Sequence, residues 1–382
     1  MPMPDQANTV SVIVPTFNRA DLLMETLEAV RQQLRTTDEL IIVDDASEDD
    51  TPALLSKLNG KANVIRQSRN GGKSAALNAA LSVAKKSMVW IVDDDDIVTP
   101  DARDRLANAL IDNPDAGFSY GRHDRFLDDP ETGLRQHLST GYWVECSTDE
   151  LLISVMEDMF PHQPGMMVRR SLYQEVGPFR SEFDRSEDYE MLIRLAVAAR
   201  GVAIPGIVFH QRVHAGTRGS KENPVLATQR DNNWLELGKQ IASEVISELP
   251  LQLFLPERRL DGKLQVRRAH LQRGVVFARH HLWERAIQEF EAGTAALSSQ
   301  LEPAETEIVK RATYSKFGIR DLLYDRDTLT RLSSVAMGTD AGKGIASALG
   351  QSLKWRIRSA ILARDFALAF QAFRAYRLLV SR

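Results

Sequence analysis

Four consecutive aspartates, Asp93-Asp94-Asp95-Asp96, follow directly on the apolar run Met88-Val-Trp-Ile-Val92. Like charges repel, and carboxylates brought near a protein interior lose hydration unless something compensates them. A bound cation is the simplest compensation. An all-oxygen donor set suits magnesium or manganese, with phosphate oxygens and water completing an octahedron. Three more polar clusters follow apolar runs in the same way. Pro15-Thr16-Phe17-Asn18-Arg19 comes after residues 10–14, Asp44-Asp45-Ala46-Ser47-Glu48-Asp49-Asp50 after 40–43, and Asn70-Gly71-Gly72-Lys73-Ser74 after 63–66. Taken singly, each reads as a polar turn; four in succession read as one pocket. Gly72-Lys73-Ser74 matches the end of a phosphate-binding loop, but that motif needs a glycine where Gln67 stands. A glycine-led helix start still suits a ribose or phosphate edge.

The elements that must position these clusters alternate over the first hundred residues. Residues 10–14, 40–43, 63–66 and 88–92 predict four strands. Between them, Leu23, Leu27, Val30 and Leu34 repeat at helical spacing. Thr51-Pro52 places a capping residue before a proline at a helix start, and the alanine-rich stretch 73–85 predicts a third helix. Strands separated by helices of this length imply a parallel sheet with helices on its faces, and in such sheets ligands bind at the carboxyl ends of the strands. All four clusters fall on that edge. From residue 101 to about 219 the pattern is mixed, with turn-rich stretches at 127–133 and 160–165. From Glu222 onward glycine becomes sparse and helical periodicity dominates, so the expected division is 1–220 and 221–382.

The bulk properties bound the possibilities. A chain of 382 residues with 43% hydrophobic and 26% charged residues suits two globular domains with a sizeable core. A net charge of -4 gives no general attraction to nucleic acid. The single cysteine, Cys146, excludes a disulfide framework and suits a reducing compartment. The polar start, residues 1–9, does not read as a secretory signal. No window approaches the roughly 18 apolar residues of a membrane span. The expectation is that substrates are met from the cytoplasmic side.

With these residues in view, the chain resembles the inverting family 2 glycosyltransferases of the GT-A fold. Val10-Ser-Val-Ile-Val-Pro-Thr-Phe-Asn-Arg19 is similar to that family's opening strand and loop. Ile41-Ile-Val-Asp-Asp-Ala-Ser-Glu-Asp-Asp-Thr51 resembles its acidic nucleotide loop, with Ala46 where glycine is commoner. Val92-Asp-Asp-Asp-Asp-Ile-Val-Thr-Pro100 resembles its DxD metal motif. Val176-Gly-Pro-Phe179, Ser186-Glu-Asp-Tyr-Glu-Met-Leu-Ile-Arg194 and Gln211-Arg-Val-His214 resemble its glycine-phenylalanine turn, Glu-Asp catalytic segment and late Arg-x-His element. The resemblance covers roughly the first 55–60% of the chain.

It implies an α/β fold, a Rossmann-like, mostly parallel sheet flanked by helices, followed by a smaller α-helical domain. It implies a nucleoside-diphosphate-sugar donor and a glycan or lipid-linked acceptor, with a role in cell-surface polysaccharide synthesis. Pro15, Thr16, Asn18, Arg19, Asp44, Asp45, Lys73, Asp94 and Glu187 would line the donor site, with Asp44 and Asp45 on the base and ribose. Asp93 and Asp95 would be the DxD pair holding a divalent metal, magnesium or manganese, and because four aspartates adjoin, Asp96 shares that role. His214 reads equally as a metal or diphosphate ligand and as a surface-loop histidine. Asp188 would be the general base, at the first turn of a helix predicted over 189–199 with Leu192 and Leu195 inward. Inverting transfer is one displacement at the anomeric carbon: a carboxylate takes the proton of the attacking hydroxyl, and a metal neutralises the leaving diphosphate.

Other readings stay open at this point. A sugar-phosphate nucleotidyltransferase expects a glycine-rich first loop, and Pro15-Thr-Phe-Asn-Arg19 contains no glycine. A non-catalytic nucleotide-sugar-binding or assembly protein is the other alternative. Arg212 and Arg218 could meet phosphate on a closing loop, and Trp143 reads as core or as an acceptor-stacking ring. Gly274, Phe277, Ala286 and Phe290 match one tetratricopeptide-like hairpin. Residues 351–382 carry seven basic residues against Asp365, interleaved with apolar ones. Such a stretch either lies on an anionic membrane as a peripheral contact or packs on its own domain with a solvated basic face.

Overall fold

The structure is a computed structural model, and it describes residues 8–58, 60–129, 131–183, 185–213 and 230–380. By internal contacts the chain falls into two compact units, Met1–Leu151 with Met159–Arg230, and Leu152–Asp158 with Asp231–Arg382. The division expected near residue 220 lies outside the described residues.

The first unit is built on one nine-stranded sheet. β1 (Val10–Thr16), β2 (Glu39–Asp44), β3 (Asn63–Arg66) and β4 (Met88–Ile91) pair in parallel in the order β3-β2-β1-β4. β1 is buried along its whole length, which is why its valine-rich run does not alternate with polar residues. Burying each such side chain contributes about 1.5–3 kcal/mol relative to exposure. β3, at the edge, is mostly exposed and correspondingly polar. The helix Ala20–Arg31 buries Leu23, Thr26, Leu27 and Val30 against this half. It ends before Leu34, which still packs on the same core. The next helix, Thr51–Ser56, has Asp50 rather than Thr51 at its cap.

The sheet continues as β4-β8-β6-β9-β5, with β7 paired to β6. Here β5 is Ile97–Val98, β6 Ala116–Asp128, β7 Arg135–Thr140, β8 Met166–Arg169 and β9 Arg200–Arg212. β8 runs antiparallel to both β4 and β6, while β6 and β9 run in parallel. The fold class is therefore a mixed sheet whose parallel half carries the four predicted strands. Trp90, fully buried on β4, donates its indole N–H to the Pro164 carbonyl at 2.8 Å and fastens the two halves together. Below the strands Arg103 and Asp38 form a buried two-pronged pair, Nη2–Oδ1 2.7 Å and Nε–Oδ2 3.0 Å.

The second unit is helical. Helices Lys263–Arg279 and Trp283–Ala296 form a hairpin in which Gly274 lies against the Phe290 ring; a Cβ there would stand 2.7 Å from it. Arg267 and Glu305 make a second buried two-pronged pair, at 2.8 and 2.6 Å. Glu157, from the segment Leu152–Asp158, accepts from Gln272 Nε2 at 2.8 Å and Arg311 Nε at 2.9 Å. Helices Asp340–Leu362 and Phe366–Val380 close the unit as a second hairpin. Among the described residues no helix is long and apolar enough to cross a membrane.

Candidate active site

The carboxyl ends of β1, β2 and β4 and the starts of two helices supply the site. Residues Pro15 and Thr16 end β1 inside the sheet. Asn18 then adopts the left-handed region (φ 52), its side-chain Oδ1 accepting the Glu48 amide at 2.7 Å. Its own amide donates to Ser47 Oγ at 2.9 Å, so the first two loops are stitched together. Ala46 has φ 64, which explains why glycine is the usual residue at that position.

Asp44 and Asp45 part company at the end of β2. Asp45 accepts the amides of Gly71 and Gly72 at 2.8 and 2.9 Å, and burial raises its carboxyl above the ordinary range against those two bonds. These amides, expected to suit a ribose or phosphate edge, are thus engaged by Asp45. Asp44 Oδ1 accepts the Ser47 amide at 2.8 Å, while its buried Oδ2 has no hydrogen-bond partner and stands 3.6 Å from Arg66 Nε.

The four aspartates diverge. Lys73, on the first turn of the helix Gly72–Val83, lies 2.6 Å from Asp93 and 3.8 Å from Glu187. Arg19 Nη1 bridges Asp94 and Asp95 at 2.8 and 2.7 Å. Asp96 Oδ1 accepts the Arg212 amide at 3.0 Å, and its carbonyl accepts from Thr26 Oγ1 at 2.9 Å. Arg212 itself is buried, donating to the Asp95 carbonyl and pairing with Glu25 and Asp128, so it is held within the fold rather than presented to a phosphate. His214, Gly216 and Arg218 lie outside the described residues.

Glu187 and Asp188 open the helix Glu187–Ala198, which buries Leu192 and Leu195 as expected from its spacing. Burial pushes the Glu187 carboxyl up to about 7 against the pull of Lys73, with Asp188 adding to the rise. Burial likewise raises the partly exposed Asp188, again opposed by Lys73 and reinforced by Asp93. Burial alone would lower the Lys73 ammonium, yet Asp93, Glu187 and Asp188 raise it above its ordinary value. Asp94, opposed by burial and joined by Asp95, raises the Arg19 guanidinium.

The helix start is held by Glu190 and Arg194, to which the motif alone assigns no role, and by Asn78, which lies outside every motif. Glu190, fully buried, takes both prongs of Arg194 at 2.8 and 2.7 Å. Arg194 also donates to the carbonyls of Val176 at 2.6 Å and Pro178 at 2.9 Å. Asn78 holds Phe179 by two bonds of 2.8 Å, one to its carbonyl and one from its amide. The turn at Gly177, with φ 86, therefore ties the helix bearing Lys73 to the helix bearing Asp188. Arg185, at φ 70, carries two shielded guanidinium nitrogens without hydrogen-bond partners. Its signal in the sequence was only its place beside Ser186-Glu187-Asp188. Trp143, partly exposed, packs among Tyr120 and Phe160 with ring centroids 5.6 and 5.2 Å away, and the Arg122 guanidinium lies over its ring at 5.3 Å.

A divalent metal can be tested against this donor set. Five carboxyl groups (Asp93, Asp94, Asp95, Glu187 and Asp188) share two cations, Lys73 and Arg19, so negative charge is in excess. All donors are hard oxygens, which fits magnesium or manganese. Among the described residues no three His, Cys, Asp or Glu side chains gather as a metal cage. A metal here would therefore draw further ligands from phosphate oxygens and water.

Residues 11–177 match the glycosyl transferase family 2. The succinoglycan biosynthesis protein ExoO of Rhizobium meliloti is 28% identical over 223 residues, 55% of this chain and 63% of that protein. The chondroitin synthase of Pasteurella multocida is 24% identical over 241 residues, 62% of this chain and 24% of that one. The chain thus spans less than two thirds of the length of either relative. Among solved structures, S. aureus TarS 1-349 superposes with a TM-score of 0.47 at 19% identity, covering 80% of this chain and 89% of that one. The matched region ends in the turn at Gly177, so the part of the chain that is similar to the glycosyl transferase family 2 is the part that carries the four strand-end clusters.

Proposed function

We propose that this protein transfers a sugar, with inversion and with a divalent metal, from a nucleoside-diphosphate sugar to a glycan or lipid-linked acceptor in polysaccharide synthesis. The observation that carries the reading is the meeting of Lys73, Asp93, Glu187 and Asp188, drawn from two helix starts and one strand end. The names of two relatives, a succinoglycan biosynthesis protein and a chondroitin synthase, support the acceptor class.

The roles follow from the chemistry. Asp188, partly exposed at a helix start, takes the proton of the acceptor hydroxyl as that oxygen attacks the anomeric carbon. Its raised proton affinity suits a base better than an ordinary aspartate would. Asp44, with one buried oxygen unpartnered, hydrogen-bonds the nucleoside, while Asp45 holds the Gly71-Gly72 turn beneath it. Lys73 and Arg19 keep the carboxylates apart and orient them. Asp93 and Asp95 would hold the metal, which supplies positive charge against the leaving diphosphate.

The test is transfer and donor hydrolysis across a panel of nucleotide sugars, with and without manganese. Turnover that requires manganese is the expected result, and binding without turnover on any acceptor would instead favour a non-catalytic protein. Asp188→Asn should keep donor affinity and lower transfer by about a hundredfold or more, the usual weight of a general base. Wild-type turnover in that variant would remove Asp188 from the role.

A further inference from the structure

The last helix of the chain is turned the wrong way round for a packing helix. Phe366–Val380 buries Ala369, Ala372, Ala375 and Leu379 against its unit. Its three phenylalanines face out instead: Phe366 is 67% exposed, Phe370 63% and Phe373 47%. Spacings of four and three place the three rings on one face. The preceding helix adds Ile361 at 50% and Leu362 at 74% exposure, just before the turn at Arg364 (φ 58). Helical patterning in a folded domain runs the other way, with small or polar residues outside and phenylalanine within. An apolar patch of this kind on a hairpin tip marks a contact surface.

The charges around the tip select the partner. Arg358, Arg364, Arg374 and Arg377 are exposed around it. The one acid of the region, Asp365, is engaged with Arg320 and with the Leu368 amide at 3.0 Å. A second copy of the same face would bring the arginines of this hairpin against one another, with its one acid already engaged. An anionic lipid surface offers what both sets of side chains lack: hydrocarbon for the rings and phosphate for the guanidinium groups, whose stems can lie along the apolar boundary. We propose that the hairpin tip formed by Ile361, Leu362, Phe366, Phe370 and Phe373, with its ring of arginines, docks on an anionic membrane surface. It lies on the surface and does not span, since neither helix is long and apolar enough to cross.

Flotation of the full chain with vesicles tests this, with phosphatidylcholine alone compared with an equal mixture of phosphatidylcholine and phosphatidylglycerol. Binding to the mixed vesicles only, weakened by salt, is the expected result. Phe366→Ser with Phe370→Ser, and separately Arg364→Glu with Arg374→Glu, should each lower the bound fraction about tenfold or more. Both pairs are exposed, so circular dichroism and the unfolding midpoint should stay as in the wild type. Wild-type protein that remains in solution with both vesicles would overturn the proposal, as would variants that bind like the wild type. A wild-type dimer in sedimentation that the phenylalanine variant converts to monomer would assign the face to a second copy and overturn it too. The readout is binding, so its failure is separate from any failure of the transferase reading.

Discussion

Lys73 is the residue through which the charge of the site is set. Its ammonium lies 2.6 Å from Asp93 and 3.8 Å from Glu187, and its charge opposes the rise that burial imposes on Asp188. A base must be ionised to act, so the acid limb of kcat/KM should lie above the ordinary aspartate range near pH ~4. Lys73→Met removes the opposing charge, so it should move that limb to still higher pH in a pH–rate profile. A limb that stays in place would separate Lys73 from the base. Glu187 gives a second test by linkage. Its folded value, pushed up to about 7, lies above its unfolded one, so its contribution to stability is complete at low pH and is lost as pH rises through about 7. Glu187→Gln should therefore raise the unfolding midpoint more at pH ~8 than at pH ~5, by a few degrees. At this scale the sequence was informative about residue types and silent about partners. Four adjoining aspartates announced a compensated cluster, but Arg19 and Lys73 as the compensating cations depend on where two strand ends point them. For the same reason Asp93, Asp95 and Asp96 each meet a different partner, Lys73, Arg19 and the Arg212 amide.

Elements were legible wherever one physical cause dominated. β1, β2 and β4 are short, buried apolar runs and β3 a short edge strand, all set between helical spacings, and each appears where the pattern put it. The long strands β6 and β9 were hidden. β6 carries Arg122, His123, Asp124 and Arg125, and β9 carries Gly201, Pro205 and Gly206, all poor strand formers. They hold together by pairing with each other, with register shifts that absorb the extra residues of β9 beside Tyr120 and Arg122. Such pairing is tertiary, and no local period reports it. The element that carries the proposed base is the helix Glu187–Ala198, and Arg194 is its fastening. Arg194→Met would free the Val176 and Pro178 carbonyls and strip buried Glu190 of its two-pronged partner, leaving it the more distant Arg180 at 3.6 Å. Removing one member of such a pair costs about 3–5 kcal/mol, so denaturant titration should show a loss of that size. In the folded fraction kcat should fall further than donor affinity if the misplaced group is the base, as proposed for Asp188.

Among the described residues, each unit holds an arginine–carboxylate pair with almost no exposure, Arg103–Asp38 in the first and Arg267–Glu305 in the second. Nothing in the sequence singles out these four among the many arginines and acids, because burial is decided by the assembled fold. Glu305→Ala should cost about 3–5 kcal/mol by leaving Arg267 uncompensated, read as a lowered denaturation midpoint. Arg267→Met combined with Glu305→Leu should recover much of that loss, since the pair as a whole contributes little over apolar packing. The closing hairpin of the second unit has a different kind of lock. Gly350 leaves so little room that a Cβ there would stand 2.4 Å from Val380 Cγ2, and the facing side of the last helix is a row of alanines. A seam cut to the width of methyl groups cannot admit a benzyl ring. Turning the helix on its axis would therefore not stow the three phenylalanines, and the tip has no closed position to wait in. Its greasy face is a permanent fixture rather than a latch, and the protein should behave accordingly during handling, clinging to surfaces at low salt and released by mild detergent without any change of fold.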